Sequence, residues 1–269
     1  MNILDEKALA RAYNTALRHE KAGRFDEAAK AYREVLALDP ADHGGAAVRL
    51  ASMKRGETPP KAPDAYVATL FNQHAEVFDK VLVEDLGYAV PMQLRHALQE
   101  KAPGPYARML DLGCGTGLAG SALIDIATRI TGVDLAEHML EQADERGCYE
   151  ELYVGEAVQF LTEDEELWSL IVATDVMPYM GHLESFFTQA RLRLIGGGVL
   201  AFSTETLPEA EFAGADFRVT PHQRFAHSAE YVWRLLDDND MAVLHFEPIV
   251  VRHEEGQLIA GHLIVAVKT

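Results

Sequence analysis

Cysteine is nearly absent: Cys114 and Cys148 are the only two in 269 residues. Two cysteines make neither a disulfide framework nor a metal knuckle, and the histidines show no ligand spacing, so a reduced, cytoplasmic protein without a metal is expected. Long apolar runs are missing too. No window approaches the roughly 18 consecutive apolar residues of a membrane span. The N-terminal stretch MNILDEKALARAY is charged from Asp5 onward and does not read as a signal peptide. Basic charge is scarce: 24 Lys and Arg stand against 42 Asp and Glu, a net charge of −18. A nucleic-acid binder needs a basic face to displace counterions from phosphates, so DNA and bulk RNA are disfavoured as partners. The densest acidic run, Glu163-Asp164-Glu165-Glu166, reads as a solvated loop.

What remains is an ordinary globular composition, 48% apolar and 25% charged, with clear punctuation. Residues 1–55 read as helical. Leu9, Tyr13, Ala16 and Leu17 fall at helical spacing, Gly23 breaks the pattern, and Phe25, Ala28, Ala29, Tyr32, Val35 and Leu36 resume it. Asp39-Pro40 ends that second stretch, because a residue before proline is pushed out of the helical region. HGGAAVRLASMKR at 43–55 supplies a third helix. Residues 56–64 form a linker, with Pro59, Pro60 and Pro63 forbidding helix. From residue 65 to 269 strands and helices alternate, which implies a parallel sheet covered by helices on both faces. Strands are expected at 108–112, 130–134, 151–154, 168–175 and 198–203, and helices at 118–127, 137–146, 183–194 and 229–237. The runs 242–251 and 257–267, joined by polar residues 252–256, suit a terminal antiparallel hairpin.

The sharpest feature is Met109-Leu110-Asp111-Leu112-Gly113-Cys114-Gly115-Thr116-Gly117. An apolar strand runs into three alternating glycines and a helix follows at once. Glycine is needed where a backbone turns tightly against a ligand, and the helix N-terminus behind offers unpaired N–H groups. A nucleotide-type ligand at the carboxyl ends of the strands follows. Two ligand classes compete. Gly115-Thr116-Gly117-Leu118-Ala119-Gly120 is a literal dinucleotide fingerprint, and Asp134, ending the second strand, suits the ribose hydroxyls of either class. Asp111 favours S-adenosylmethionine, a sulfonium without phosphates, over an anionic pyrophosphate.

The run GRFDEAAKAYREVLALDP, with Gly23, Phe25, Ala28, Tyr32, Val35 and Pro40, resembles one tetratricopeptide repeat. A single repeat buries no solenoid core, so the module packs on the main domain or meets a protein partner. The ordered set DLGCGTG at 111–117, GVDLAEHML at 132–140, LIVATDVMPYMG at 170–181 and GGGVLAFSTE at 196–205 resembles the class I S-adenosylmethionine-dependent methyltransferases, and more narrowly those predicted methyltransferases that carry tetratricopeptide repeats. The resemblance implies a Rossmann-like seven-stranded sheet over residues 65–269 and S-adenosylmethionine as cofactor. It places Gly113, Gly115 and Gly117 on the methionine and ribose, Asp111 near the amino end, and Asp134 on the ribose hydroxyls. Leu135 flanks the adenine, Glu156 and Ala157 contact it, and Asp175 with Val176 lies beside the methionine. Aspartate is commoner at position 156. Asp-Val-Met-Pro-Tyr at 175–179 departs from the Asn/Asp-Pro-Pro-Tyr motif of some amino methyltransferases.

Methyl transfer is an in-line displacement; the protein holds the nucleophile and excludes water, and a base is needed only for an acceptor that must lose a proton. The acceptor-side candidates are His227, Arg224 and Tyr179. His227 has a suitable pKa range for a base, or it is a structural histidine beside Ser228, which can cap the following helix. Tyr66, Phe71 and Phe78, in a segment before the core, either fold over the cofactor or pack a helix on the sheet. The connection from Glu205 to His227 is long enough to be a functional lid. The expected function is methyl transfer to a small molecule. The rivals are a nicotinamide-dependent oxidoreductase and a non-catalytic cofactor-binding assembly protein that uses the helical module.

Overall fold

The computed structural model describes residues 3–269; Met1 and Asn2, the first residues of the expected helical module, lie outside the described residues. Three helices open the chain: α1 (Ile3–Lys21), α2 (Phe25–Leu38) and α3 (Ala46–Ser52). Ala12 and Ala16 meet Ala28, Ala29, Tyr32 and Val35, so small side chains bring α1 and α2 close, and Leu50 of α3 caps the pair. Asp42 starts α3: its carboxylate accepts from Ala46 N at 2.6 Å and Ala47 N at 2.9 Å.

The proline-rich stretch does not run free. Pro60 O accepts from Gly181 N (2.9 Å) and His182 N (3.0 Å), and Ala62 N donates to Tyr179 O at 2.8 Å. The helical module is docked as well. Val48 is buried with Ala62, Val67, Tyr179 and Phe225. Helix α4 (Asp64–His74) follows, then a 3-10 turn (Ala75–Val77), a π-helical turn (Lys80–Asp85) and α5 (Val90–Lys101).

The main domain alternates as expected: β1 (Tyr106–Leu112), α6 (Leu118–Leu123), β2 (Ala127–Asp134), α7 (Glu137–Glu145), β3 (Glu151–Val154), α8 (Ala157–Glu163), β4 (Trp168–Ala173), a 3-10 turn (Met177–Tyr179), α9 (Glu184–Arg193) and β5 (Leu194–Glu205). Then come α10 (Glu209–Phe212), β6 (Phe217–Val219), β7 (Phe225–His227), α11 (Ala229–Asp238), β8 (Met241–Glu254) and β9 (Gln257–Lys268). Strands β3, β2, β1, β4 and β5 are neighbours in that order and parallel. β9 lies antiparallel on β5, and β8 on β9. These are the seven expected strands with their terminal hairpin. A short β6–β7 hairpin adds to them, touching β5 where Glu205 faces Ala226. It occupies the long connection expected to be a lid, so that segment is built into the sheet edge.

Both faces of the sheet are buried, and the period of two is visible in the packing. Leu110, Leu112, Ile171, Ala173, Leu200 and Phe202 face α9 and α11 through Phe186, Phe187, Tyr231 and Leu235. Their neighbours Met109, Leu170, Val172, Val199 and Ala201 face α5 through Leu94 and Leu98. Several expected boundaries moved. α6 ends at Leu123 rather than 127, where Arg95 takes the Ala122 carbonyl and the Asp125 carboxylate, and β2 begins at Ala127. β5 begins at Leu194, so its three glycines lie inside the strand.

Candidate functional site

At the carboxyl ends of β1, β2 and β4 lies a cleft of about 120 Å3. The glycine loop forms its floor. Gly113 (φ +63°) passes against Val176, where a Cβ would clash with that side chain. Gly115 (φ +54°) faces open space, so its backbone is bare toward the cleft. Gly117 caps α6 in the same left-handed region, but it packs on Arg146 and Tyr149 and does not line the cleft.

Asp134 is fixed by the backbone. Its two carboxylate oxygens accept from Gly115 N at 2.9 Å and Ala136 N at 2.8 Å. Burial raises its pKa, while the backbone donors pull it down. The aim of the carboxylate is thus set before any ligand arrives, and each oxygen keeps a lone pair for a hydroxyl donor. Glu156 and Ala157 line the cleft at the start of α8, whose N-cap is Glu156 through its bond from Gln159 N at 2.8 Å. Asp175 and Val176 line it from the end of β4.

Three further expected contacts do not reach the cleft. Asp111 is fully buried and turned away, because the alternation along β1 sends it to the side of Met109, beneath α6. Its Oδ2 accepts from Tyr149 Oη at 2.7 Å, and burial lifts its pKa to about 7. Leu135 packs with Val67, Phe71 and Tyr179 under α4 and is not part of the lining. His227 is also wholly buried. Its Nε2 is 2.9 Å from the Met180 carbonyl, its ring stacks on Tyr231, and burial lowers its pKa to about 4. A neutral imidazole donating to a carbonyl, sealed in the core, holds β7 to the turn after β4; it is no base for a substrate. Ser228 beside it caps α11 by accepting from Tyr231 N at 3.2 Å.

Arg224 and Tyr179 stand closer to the chemistry. Tyr179 lines the cleft, and the Arg224 guanidinium lies over its ring, 5.3 Å from the centroid. Arg224 itself borders an adjoining cavity.

The roof comes from the segment before the core. Val67, Phe71 and Phe78 line the cleft, whereas Tyr66 faces the helical module, over Gly45. Polar pins hold the roof down: Asn72 Oδ1 accepts from His138 N at 2.9 Å, and Asp79 takes both the Thr116 hydroxyl and the Arg146 guanidinium. Lys61 and Asp64 also border the cleft, and their side chains pair at 2.7 Å. Sequence reading passed over Lys61, Asp64, Thr116 and Asp79. The one available signal was their closeness to Tyr66–Phe78 and to the glycine loop. The lining therefore holds four carboxylates, Asp64, Asp134, Glu156 and Asp175, against one ammonium, Lys61.

A family model described as "Methyltransferase domain" matches residues 110–200. The N-methyltransferase NodS from Bradyrhizobium japonicum WM9, solved with S-adenosyl-L-homocysteine, superposes with a TM-score of 0.57 at 18% identity, over 75% of this chain and 98% of that one. Residues 110–200 thus match a methyltransferase domain model, and the fold around them is shared with NodS. A ubiquinone biosynthesis O-methyltransferase of Maricaulis maris (strain MCS10) is 28% identical over 120 residues, 43% of this chain and 47% of the relative. The chain thus spans about half the length of that curated relative. The [4+2]-cyclase SpnF superposes equally well, with a TM-score of 0.58 at 16% identity, over 75% of this chain and 96% of that one. The methyltransferase fold therefore does not by itself fix the reaction.

Proposed function

We propose that this chain is an S-adenosylmethionine-dependent methyltransferase acting on a small-molecule acceptor, in the cytoplasm. The observation that carries the reading is the charge of the lining, four carboxylates against one paired ammonium. A cofactor with a sulfonium and an ammonium gains from that field, whereas a dinucleotide pyrophosphate is repelled by it. This disfavours the nicotinamide reading of Gly115–Gly120. The cofactor class also fits NodS, an N-methyltransferase solved with S-adenosyl-L-homocysteine, and the ubiquinone biosynthesis O-methyltransferase.

In this reading Asp134 holds the ribose hydroxyls, and the bare backbone of Gly113 and Gly115 admits the ribose and methionine. Glu156, Ala157 and Val176 flank the remainder. Asp111 and Gly117 act from behind the loop. When bound, the cofactor supplies an electrophilic methyl group. The chain's own work is positional: Phe71 and Phe78 exclude water from above, and the Asp79 and Asn72 pins keep them in place. The helical module (1–55) and linker (56–64) brace this roof through Val48, Ala62 and Val67. That contact favours a module that packs on its own catalytic domain (65–269).

Calorimetric titration of S-adenosylhomocysteine tests the cofactor class. Micromolar binding is expected, weakened about tenfold to a hundredfold in Asp134→Ala, with NAD silent. NAD binding with S-adenosylhomocysteine silent overturns the proposal.

A further inference from the structure

The one cation of the cleft comes from outside the strand–helix core. Lys61 belongs to the linker Pro59-Pro60-Lys61-Ala62-Pro63, whose prolines exclude helix and keep the chain extended. An extended chain alternates its side chains, and this one does: Ala62 is buried with Val67, Tyr179 and Phe225, while Lys61 lines the cleft. The linker lies antiparallel on the turn after β4, with Lys61 opposite Met180. Both neighbours of Lys61 fix it there, Pro60 O through Gly181 N at 2.9 Å and Ala62 N through Tyr179 O at 2.8 Å. The approach is close: a Cβ on Gly181 would stand 2.9 Å from Pro60 O.

From this strap the ammonium reaches two carboxylates on different elements. Lys61 Nζ lies 2.7 Å and 2.9 Å from the two oxygens of Asp64, the first residue of α4 in the roof. It lies 3.9 Å from Oε1 of Glu156, at the start of α8. That second distance is an ionic contact, too long for a hydrogen bond. Glu156 has already spent its other oxygen, since Oε2 accepts from Gln159 N at 2.8 Å and caps α8. Oε1 is the oxygen left for a ligand, and Lys61 is the charge beside it. Without Lys61 the cleft lining, among the described residues, holds four carboxylates and no cation. Nothing then offsets the repulsion between Asp64 and Glu156.

We propose that Lys61 is a positioning residue for the cofactor: its ammonium joins the start of the roof helix to Glu156 and aims Glu156 Oε1 at the 6-amino group of an adenine. The inference rests on the methyl-transfer reading above. A carboxylate oxygen accepts from an amino group and repels the carbonyl oxygen of a 6-oxo purine. The linker, packed between the helical module and the catalytic domain, thereby takes part in cofactor selection.

The test uses the full chain, with S-adenosylhomocysteine and S-inosylhomocysteine as probes; the second carries a carbonyl oxygen in place of the amino group. The parent is expected to prefer S-adenosylhomocysteine by at least about tenfold. Lys61→Met should weaken S-adenosylhomocysteine about tenfold and narrow that preference. Its melting temperature should stay nearly unchanged, because Lys61 and Asp64 are half-exposed. Lys61→Arg should restore both affinity and preference, since a guanidinium also pairs with carboxylates. Lys61→Met added to Glu156→Gln should bring no further loss, because both act through one oxygen. Arg129→Met removes an equal charge from an exposed pair with Glu150 and should leave both probes as in the parent. The proposal is overturned if the parent binds both probes equally, if Lys61→Met keeps the preference, or if Arg129→Met weakens binding as much. It is equally overturned if the losses of Lys61→Met and Glu156→Gln add, or if Lys61→Met lowers the melting temperature and Lys61→Arg does not restore binding. A parent that binds neither probe sinks the methyl-transfer reading itself, which is a separate result.

Discussion

Asp111 shows how a residue type can be read correctly and its direction missed. An acid was expected beside the glycines, and one is there, but its carboxyl points under α6 to Tyr149. Its folded pKa of about 7 lies well above the ordinary carboxylate value. A carboxyl raised in this way holds its proton in the folded state where the unfolded chain has released it. Stability is therefore highest below the unfolded pKa and is lost as pH rises through about 7. Asp111→Asn keeps an acceptor for Tyr149 and removes that titration. It should raise the melting temperature at pH 8, by a stabilisation on the order of a few kcal/mol, with little gain at pH 4. Thermal melts across pH check this; equal shifts at both ends would refute it. The opposite sign holds for His227, whose pKa of about 4 keeps it neutral in the core at physiological pH. The sequence put His227 at the end of the connection after β5 but gave no direction for its ring.

At the scale of elements, the glycine loop, β2 and the strand–helix order were legible because local chemistry dictates them. A left-handed backbone at residues 113, 115 and 117 strongly favours glycine whatever surrounds it. The roof was only half legible. Aromatic spacing flagged Phe71 and Phe78, but the pins that seat them join residues far apart in sequence, Asp79 to Thr116 and Arg146, Asn72 to His138. Asp79→Ala frees one end of the roof without opening the sheet. S-adenosylhomocysteine should then dissociate several-fold faster, with the melting temperature nearly unchanged because Asp79 is partly exposed. Stopped-flow release reads this directly, and an unchanged off-rate would show that the roof does not gate the site.

Across the whole molecule, one buried ionic network ties four strand ends together: Asp175 after β4, Glu205 at the end of β5, Arg224 before β7, and Arg252 with Glu254 in β8. Removing one partner from such a cluster leaves buried charge unpaired. Arg252→Met should cost about 3–5 kcal/mol, visible as a large loss in denaturant midpoint. A loss below about 1 kcal/mol would mean that the carboxylates protonate or rehydrate instead. The same network keeps Arg224 from serving as a free anion site, which no reading of Arg224 alone would reveal.

The sequence by itself determined the class of fold, the glycine turn, the acid that ends β2 and the helical hairpin at the start. Each rests on a short-range rule: period, turn chemistry or the span of one βαβ unit. Tertiary structure decided which acids face the cleft, that His227 is a core residue and Asp175 a lining one, that the linker is docked, and that the long connection is a β-hairpin. Those outcomes depend on side-chain direction and on contacts between residues many positions apart. Spacing along the chain carries neither, because a one-residue step along a strand turns a carboxylate from the ligand to the core.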